Sequence, residues 1–109
     1  MFLLYPEGQI KTWNAGAERI KGYRADEIIG RHLSCLYPGG DADREKIQAE
    51  LKTALVQGKF EADDWRVRKD RTRFWANVVI TPFFDQQGRH RGFSKITRDL
   101  TERKHAEEM

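Results

Sequence analysis

The sequence predicts an α+β domain, and three observations carry that prediction. Two short apolar runs open the chain around a Pro-x-Gly turn, helix signals occupy residues 14–58, and three extended stretches joined by short turns follow. No internal repeat and no linker divides the 109 residues, so they form one domain long enough to bury a single core.

Residues 2–5 and 9–13 read as strands on either side of Pro6-Glu7-Gly8, where proline fixes φ and glycine permits φ > 0. Asn14 suits the N-cap of a short helix over 15–21, its side-chain oxygen taking a free backbone N–H, and Gly22 stops that helix. Asp26 and Glu27 favour the first turn of another short helix, which Gly30 ends. Pro38-Gly39-Gly40 marks a loop. Beyond it, Asp41 or Asp43 caps the one long helix, which runs to Gln57 and stops at Gly58, with Ile47, Leu51 and Leu55 as its apolar stripe. Residues 59–69, 72–84 and 89–98 are strands of a meander, turning at Asp70-Arg71 and over 85–88. The opening pair must join the same sheet, because an isolated hairpin is barely stable. Residues 99–109 are polar and helix-prone, with Thr101 placed as an N-cap.

Composition narrows the function classes. Apolar residues at 39% with aromatics at 11% give a folding chain, not a disordered tail. No apolar run approaches the roughly 20 residues a membrane span requires, so no membrane insertion by this segment is expected. Residues 1–5 are too short for a signal-peptide core, so nothing directs export. The single cysteine, Cys35, has no intrachain partner, and no Cys/His set has metal-site spacing, which fits a reducing, cytoplasmic compartment. The 20 basic and 17 acidic residues give a formal charge of +3, and they are interspersed, which describes a solvated surface and not a nucleic-acid face. No nucleophile–base–acid set, phosphate loop or metal motif marks an enzyme, and Gly8, Gly39 and Gly40 are turn residues.

The order of elements and several motifs together resemble the PAS family over nearly the whole chain. The carrying residues are Trp13-Asn14-x-Gly16-Ala17-Glu18-Arg19, then Gly22-Tyr23 with Glu27-Ile28-Ile29-Gly30, then Trp65-Arg66-Val67-Arg68-Lys69-Asp70. Phe74-Trp75-Ala76 and Gly92-Phe93 follow, and Asp99-Leu100-Thr101-Glu102-Arg103 closes the series. The resemblance implies a five-stranded antiparallel sheet in the order 2-1-5-4-3, with helices over one face enclosing a pocket. It implies a sensory domain over 1–100, with residues 101–109 opening a signalling helix that continues into an output domain. On that resemblance the chain is one module of a longer bacterial signalling protein, a sensor histidine kinase first. Alternatives are a ligand-free dimerisation and relay module, or the input domain of a cyclic-dinucleotide enzyme. The helix that members carry ahead of the first strand is not found.

The resemblance also bears on what the pocket holds. The light-sensing flavin branch has its reactive cysteine in Gly-Arg-Asn-Cys, and the corresponding Gly30-Arg31-His32-Leu33 puts Leu33 at that position. The flavin-binding Asn of that branch's Phe-Trp-Asn corresponds to Ala76, and Cys35 is off register, a packed small residue. The haem branch takes an axial histidine from the long helix, which has none, leaving His32, His90 and His105 as lone histidines. Covalent flavin and haem are therefore disfavoured, and the cofactor is left unassigned. The lining of a small-molecule pocket falls to Leu33, Leu36, Ile47 and Leu51 in the helical region and to Phe74, Ala76, Val78 and Ile80 on one face of the strand over 72–84. Ala76 and Val78 leave room for a ligand or belong to a close-packed core; both readings stand.

Two further expectations concern the sheet. A two-residue turn at Asp70-Arg71 pairs Trp65 with Ala76 and turns Trp65 inward, whereas a three-residue turn sends Arg66 inward instead, where a carboxylate ligand or an acid such as Asp64 must meet it. On the outer face, Trp75 and Val79 are expected to pack against a second copy, giving a two-fold homodimer. The resemblance makes Asp99, Thr101 and Arg68 the relay from sheet to signalling helix, with Asp99 ion-paired to Arg68 or a neighbouring base.

Overall fold

The computed structural model describes residues 1–101. Asn14 opens helix α1 (Ala15–Lys21) as its side-chain chemistry requires: its Oδ1 accepts the Ala17 N–H at 2.8 Å. Gly22, at φ 85°, closes α1 by donating to Glu18 O. In α2 (Ala25–Ile28) the Arg24 N–H donates to Glu27 Oε2 at 2.7 Å. A 3₁₀ turn over Leu33–Leu36 follows, and a second over Gly40–Asp43 leads into α3 (Arg44–Gln57). Asp43 holds the N-cap position of α3, but its carboxylate does not cap; it accepts the Gly39 N–H at 2.8 Å. The buried stripe of α3 is Ile47, Glu50, Leu51 and Ala54, while Leu55 is exposed. A step of seven residues leaves a side chain about 20° from its start and a step of eight about 80°, so Ala54, not Leu55, faces the core with Ile47.

Among the described residues the sheet has four strands in the order β1-β4-β3-β2, all antiparallel: β1 (Phe2–Leu4), β2 (Phe60–Val67), β3 (Arg73–Phe84) and β4 (His90–Asp99). The fifth strand expected over 9–13 is not formed. Tyr5 N donates to Gln9 O and Lys11 N to Leu3 O, both at 2.8 Å, but the Leu3 N–H goes to the Thr12 hydroxyl at 2.9 Å and not to a strand carbonyl. On its other side the segment bonds the loop after α2, with Ile10 N donating to Arg31 O and Gly30 N to Ile10 O. Its hydrogen bonds are thus shared between two layers, and only the bridges Leu4↔Ile10 and Gln9↔His32 remain. β4 carries glycine where it meets the end of β1, since a Cβ on Gly92 would stand 2.1 Å from Leu4 O.

The turn between β2 and β3 decides the third strand. Arg68 N donates to Thr72 O at 2.9 Å, and Arg71 takes φ 70°, the left-handed conformation of a three-residue turn. Asp70 steadies it by accepting the Thr72 N–H and hydroxyl. The register is therefore Arg66↔Phe74 and Trp65↔Trp75, and Arg66 points inward. One inner row of the sheet runs Phe2, Lys95, Ile80, Phe60, and the next runs Thr97, Val78, Ala62. The helices cover this face, and the core lies between. Among the described residues no helix is long and apolar enough to cross a membrane.

Candidate functional site

Among the described residues the buried charged side chains are Lys21, Glu50, Arg66 and Lys95. Lys21 from α1, Arg66 from β2 and Lys95 from β4 are each at most 1% exposed, and among the described residues Glu50 of α3 is the acid buried with them. Two aromatic rings link the cations. The Lys21 and Lys95 ammonium groups lie 4.9 and 5.8 Å from the Phe2 ring centre, and Lys95 lies 5.1 Å from the Tyr37 ring. The Arg66 guanidinium stacks 3.8 Å from the centre of that same Tyr37 ring. Its Nη2 is 3.7 Å from Glu50 Oε1, its Nη1 is 3.5 Å from Asp64 Oδ2, and the Tyr37 hydroxyl donates to Glu50 Oε1 at 2.5 Å.

Burial decides the protonation of this group. It pulls Lys21 down from 10.5 to about 7, with the Arg66 charge adding to the effect. Burial likewise holds Lys95 well below the ordinary lysine range, reinforced by Arg66 and Lys21 and only partly opposed by Glu50. The Tyr37 phenol is pushed up, again chiefly by burial. No sequence signal for chemistry singles these residues out, but their placement was available: Lys95 alternates inward with Phe93, and Lys21 falls four residues after buried Ala17 on α1.

The expected pocket residues do converge. Leu33, Leu36, Ile47, Leu51, Phe74, Ala76, Val78 and Ile80 are all buried and belong to one cluster. Cys35 packs half-buried beside it, its thiol pushed up by burial. His32 serves as a cap, its Nδ1 accepting the Ser34 N–H at 3.1 Å. Among the described residues no group of His, Cys, Asp and Glu is placed to hold a metal ion. A cleft of about 380 Å³, lined by Arg19, Lys21, Gly22, Arg68, Lys69 and Asp70, opens between the end of α1 and the β2–β3 turn.

At the end of β4 the three relay candidates stand together. Arg68 Nη2 donates to Asp99 Oδ2 at 2.5 Å and Arg68 Nε to Ile20 O at 3.0 Å, while its guanidinium lies 4.5 Å from the Phe74 ring centre. Asp99 Oδ1 accepts the Thr101 N–H at 2.9 Å. The Thr101 hydroxyl accepts from Trp75 N at 3.2 Å, and Leu100 N donates to Trp75 O at 2.7 Å. Partial burial raises the Asp99 carboxyl, but its bonds to Thr101 and Arg68 outweigh this and hold it low. The remaining expectation for the signalling helix falls on residues 102–109, outside the described residues. Trp75 and Val79 lie on the outer sheet face, both half-buried, with Ile96 beside Val79 at 42% exposure.

A sequence-family model described as PAS domain matches residues 1–102. The chain belongs to the PAS domain family. This places it among regulatory input modules. It is 55% identical over 107 residues to two-component system protein A of Emericella nidulans, and 32% identical over 108 residues to the bacterioopsin transcriptional activator of Halobacterium salinarum. These alignments take in 98% and 94% of the chain but only 16% and 15% of those proteins. A blue-light-activated histidine kinase of Brucella canis is 29% identical over 97 residues, 88% of this chain and 19% of the kinase. The PAS domain of a Colwellia psychrerythraea protein superposes with a TM-score of 0.83 at 26% identity, over 93% of this chain and 85% of that one.

Proposed function

We propose that this PAS domain is the sensory input of a longer cytoplasmic signalling protein, a sensor histidine kinase first among the candidates. It binds a small molecule between helices and sheet and passes the change through β4 into the segment beginning at Thr101. The observation that carries this reading is the Arg68–Asp99–Thr101 junction. One arginine touches the core ring of Phe74, the end of α1 and the acid that holds the Thr101 N–H. A displacement on the inner sheet face thus has a short physical route to the exit point. The two-component and histidine-kinase relatives support the choice of output. A second reading, a relay without ligand, is favoured by the near-complete burial of the eight lining residues.

Asp99→Ala tests the junction in the full-length protein. The pair is part-exposed and contributes only about 0–1 kcal/mol, so the domain stays folded while output no longer follows the stimulus. Output regulated as in the unaltered protein would remove Asp99 from the relay. Native mass spectrometry of the purified chain separates sensor from relay: a stoichiometric extra mass marks a ligand, and a bare chain supports the relay.

The same reading includes a homodimer through the outer face, where Val79 and Ile96 stand opposite one another in the register. Val79→Glu places a charge in that contact, at several kcal/mol if it is buried without a partner. Sedimentation should then show a dimer for the unaltered chain and a monomer for the variant. A dimer in both would move the interface elsewhere.

A further inference from the structure

The interior has more hydrogen-bond donors than acceptors. Lys21 Nζ, Lys95 Nζ, Arg66 Nε and Thr97 Oγ1 are all buried without a hydrogen-bond partner among the described residues. The Arg66 guanidinium, and the two lysines when charged, can only donate. Glu50, the acid buried among them, is already engaged by the Tyr37 hydroxyl and faces Arg66. These groups come from α1, β2 and β4, and Thr97 lies two residues beyond Lys95 on the same face of its strand. Such an arrangement is costly in a packed core, because an unpaired buried donor loses its hydration with nothing in return. An apolar ligand leaves the imbalance in place. A ligand that brings acceptor oxygens and negative charge removes it.

We infer that the interior of this domain binds a small organic carboxylate, its anionic end held by Lys21 and Lys95 with Arg66 and Thr97 in reach. This rests on the ligand-binding reading of the domain and names its ligand class. The cleft against Lys21 gives the approach, and Arg68 lines that cleft. A carboxylate entering there draws on the cation that holds Asp99, which ties occupancy to the exit junction. The amines change state with the ligand. Burial favours the neutral amine in the free domain, and a bound carboxylate favours the ammonium, so binding takes up protons.

The test uses the 109-residue chain with propionate, succinate and citrate, with propionamide and succinamide as neutral counterparts and inorganic phosphate as a non-carboxylate anion. At least one carboxylate should raise the melting temperature while its amide does not. Calorimetry in two buffers of different ionisation enthalpy should show proton uptake on binding. Lys95→Met, which keeps the length of the side chain, should weaken binding by about tenfold or more, the scale of one charge-assisted hydrogen bond. Lys52→Met, at an exposed lysine of α3, should leave affinity unchanged and controls for surface charge. Equal response of the unaltered chain, Lys95→Met and Lys52→Met would overturn the site, as would phosphate binding without carboxylate binding. If Lys95→Met does not fold, Lys21→Met takes its place with the same expectation. A neutral molecule retained in native mass spectrometry, with no carboxylate response, would overturn the ligand class and leave the sensory reading standing. Neither retained ligand nor carboxylate response would overturn both.

Discussion

Glu50→Ala should destabilise the domain by about 3–5 kcal/mol, read from urea unfolding at pH 7, because it strips the buried cations of their central acid. Arg66 would keep the Tyr37 ring, the carbonyl of Trp65 and one acid, Asp64, whose side chain is 32% exposed and also bonded to Lys46. The Tyr37 hydroxyl would lose its acceptor at the same time. Glu50→Gln retains an oxygen for Tyr37 and should cost less than Glu50→Ala. The double variant Glu50→Leu, Arg66→Met should cost less than its two single changes together, since it removes the charge and its partner in one step. A loss under about 1 kcal/mol for Glu50→Ala would mean that Arg66 does not depend on Glu50.

Much of the fold was legible because it depends on local chemistry. The cap at Asn14, the stops at Gly22 and Gly58 and the alternation along β3 are each set by a few neighbouring residues, and the structure places them within a residue or so of expectation. Where two local rules competed, sequence left the choice open. Trp65 and Arg66 exchange faces on the length of one turn, and Arg71 adopting φ 70° without being glycine decides it. The strand over 9–13 fails for a reason the sequence hides: Thr12 supplies a side-chain oxygen where the ladder needs a carbonyl. Periodicity with the family resemblance named much of the apolar core in advance, though it placed Leu55 where Ala54 is buried. The charged part could not, because lysine at a buried position violates the rule by which the core is recognised. Lys95 is inward on alternation and outward on composition, and only the packing of Phe2 and Tyr37 around it resolves the conflict.

Stability of the unliganded domain should rise as pH increases from 7 to about 9, opposite to the usual decline on the alkaline side. Unfolded Lys21 binds its proton with the ordinary value of 10.5, whereas folded Lys21 does so at about 7. Between those values the unfolded chain holds more protons, so raising pH favours the fold; below about 7 the full penalty of the buried charge is present. The displacement corresponds to an upper bound of about 3–5 kcal/mol across the whole window. Lys95 acts in the same direction. Arg66, Glu50, Cys35 and Tyr37 surround the two amines, and Cys35 and Tyr37, both pushed up by burial, work the other way once their unfolded forms ionise near 9 and 10. The rise should therefore flatten above about pH 9. Chemical unfolding at half-unit pH intervals measures it, and Lys21→Met should remove about half of the slope, leaving the share of Lys95, while raising stability at pH 7. A flat profile would mean that both lysines stay charged in the folded chain and that some acceptor already satisfies them. A bound carboxylate makes the opposite demand on the same amines, so its presence should shrink the slope. That contrast separates an interior that tolerates two neutral lysines from one built to charge them when its ligand arrives.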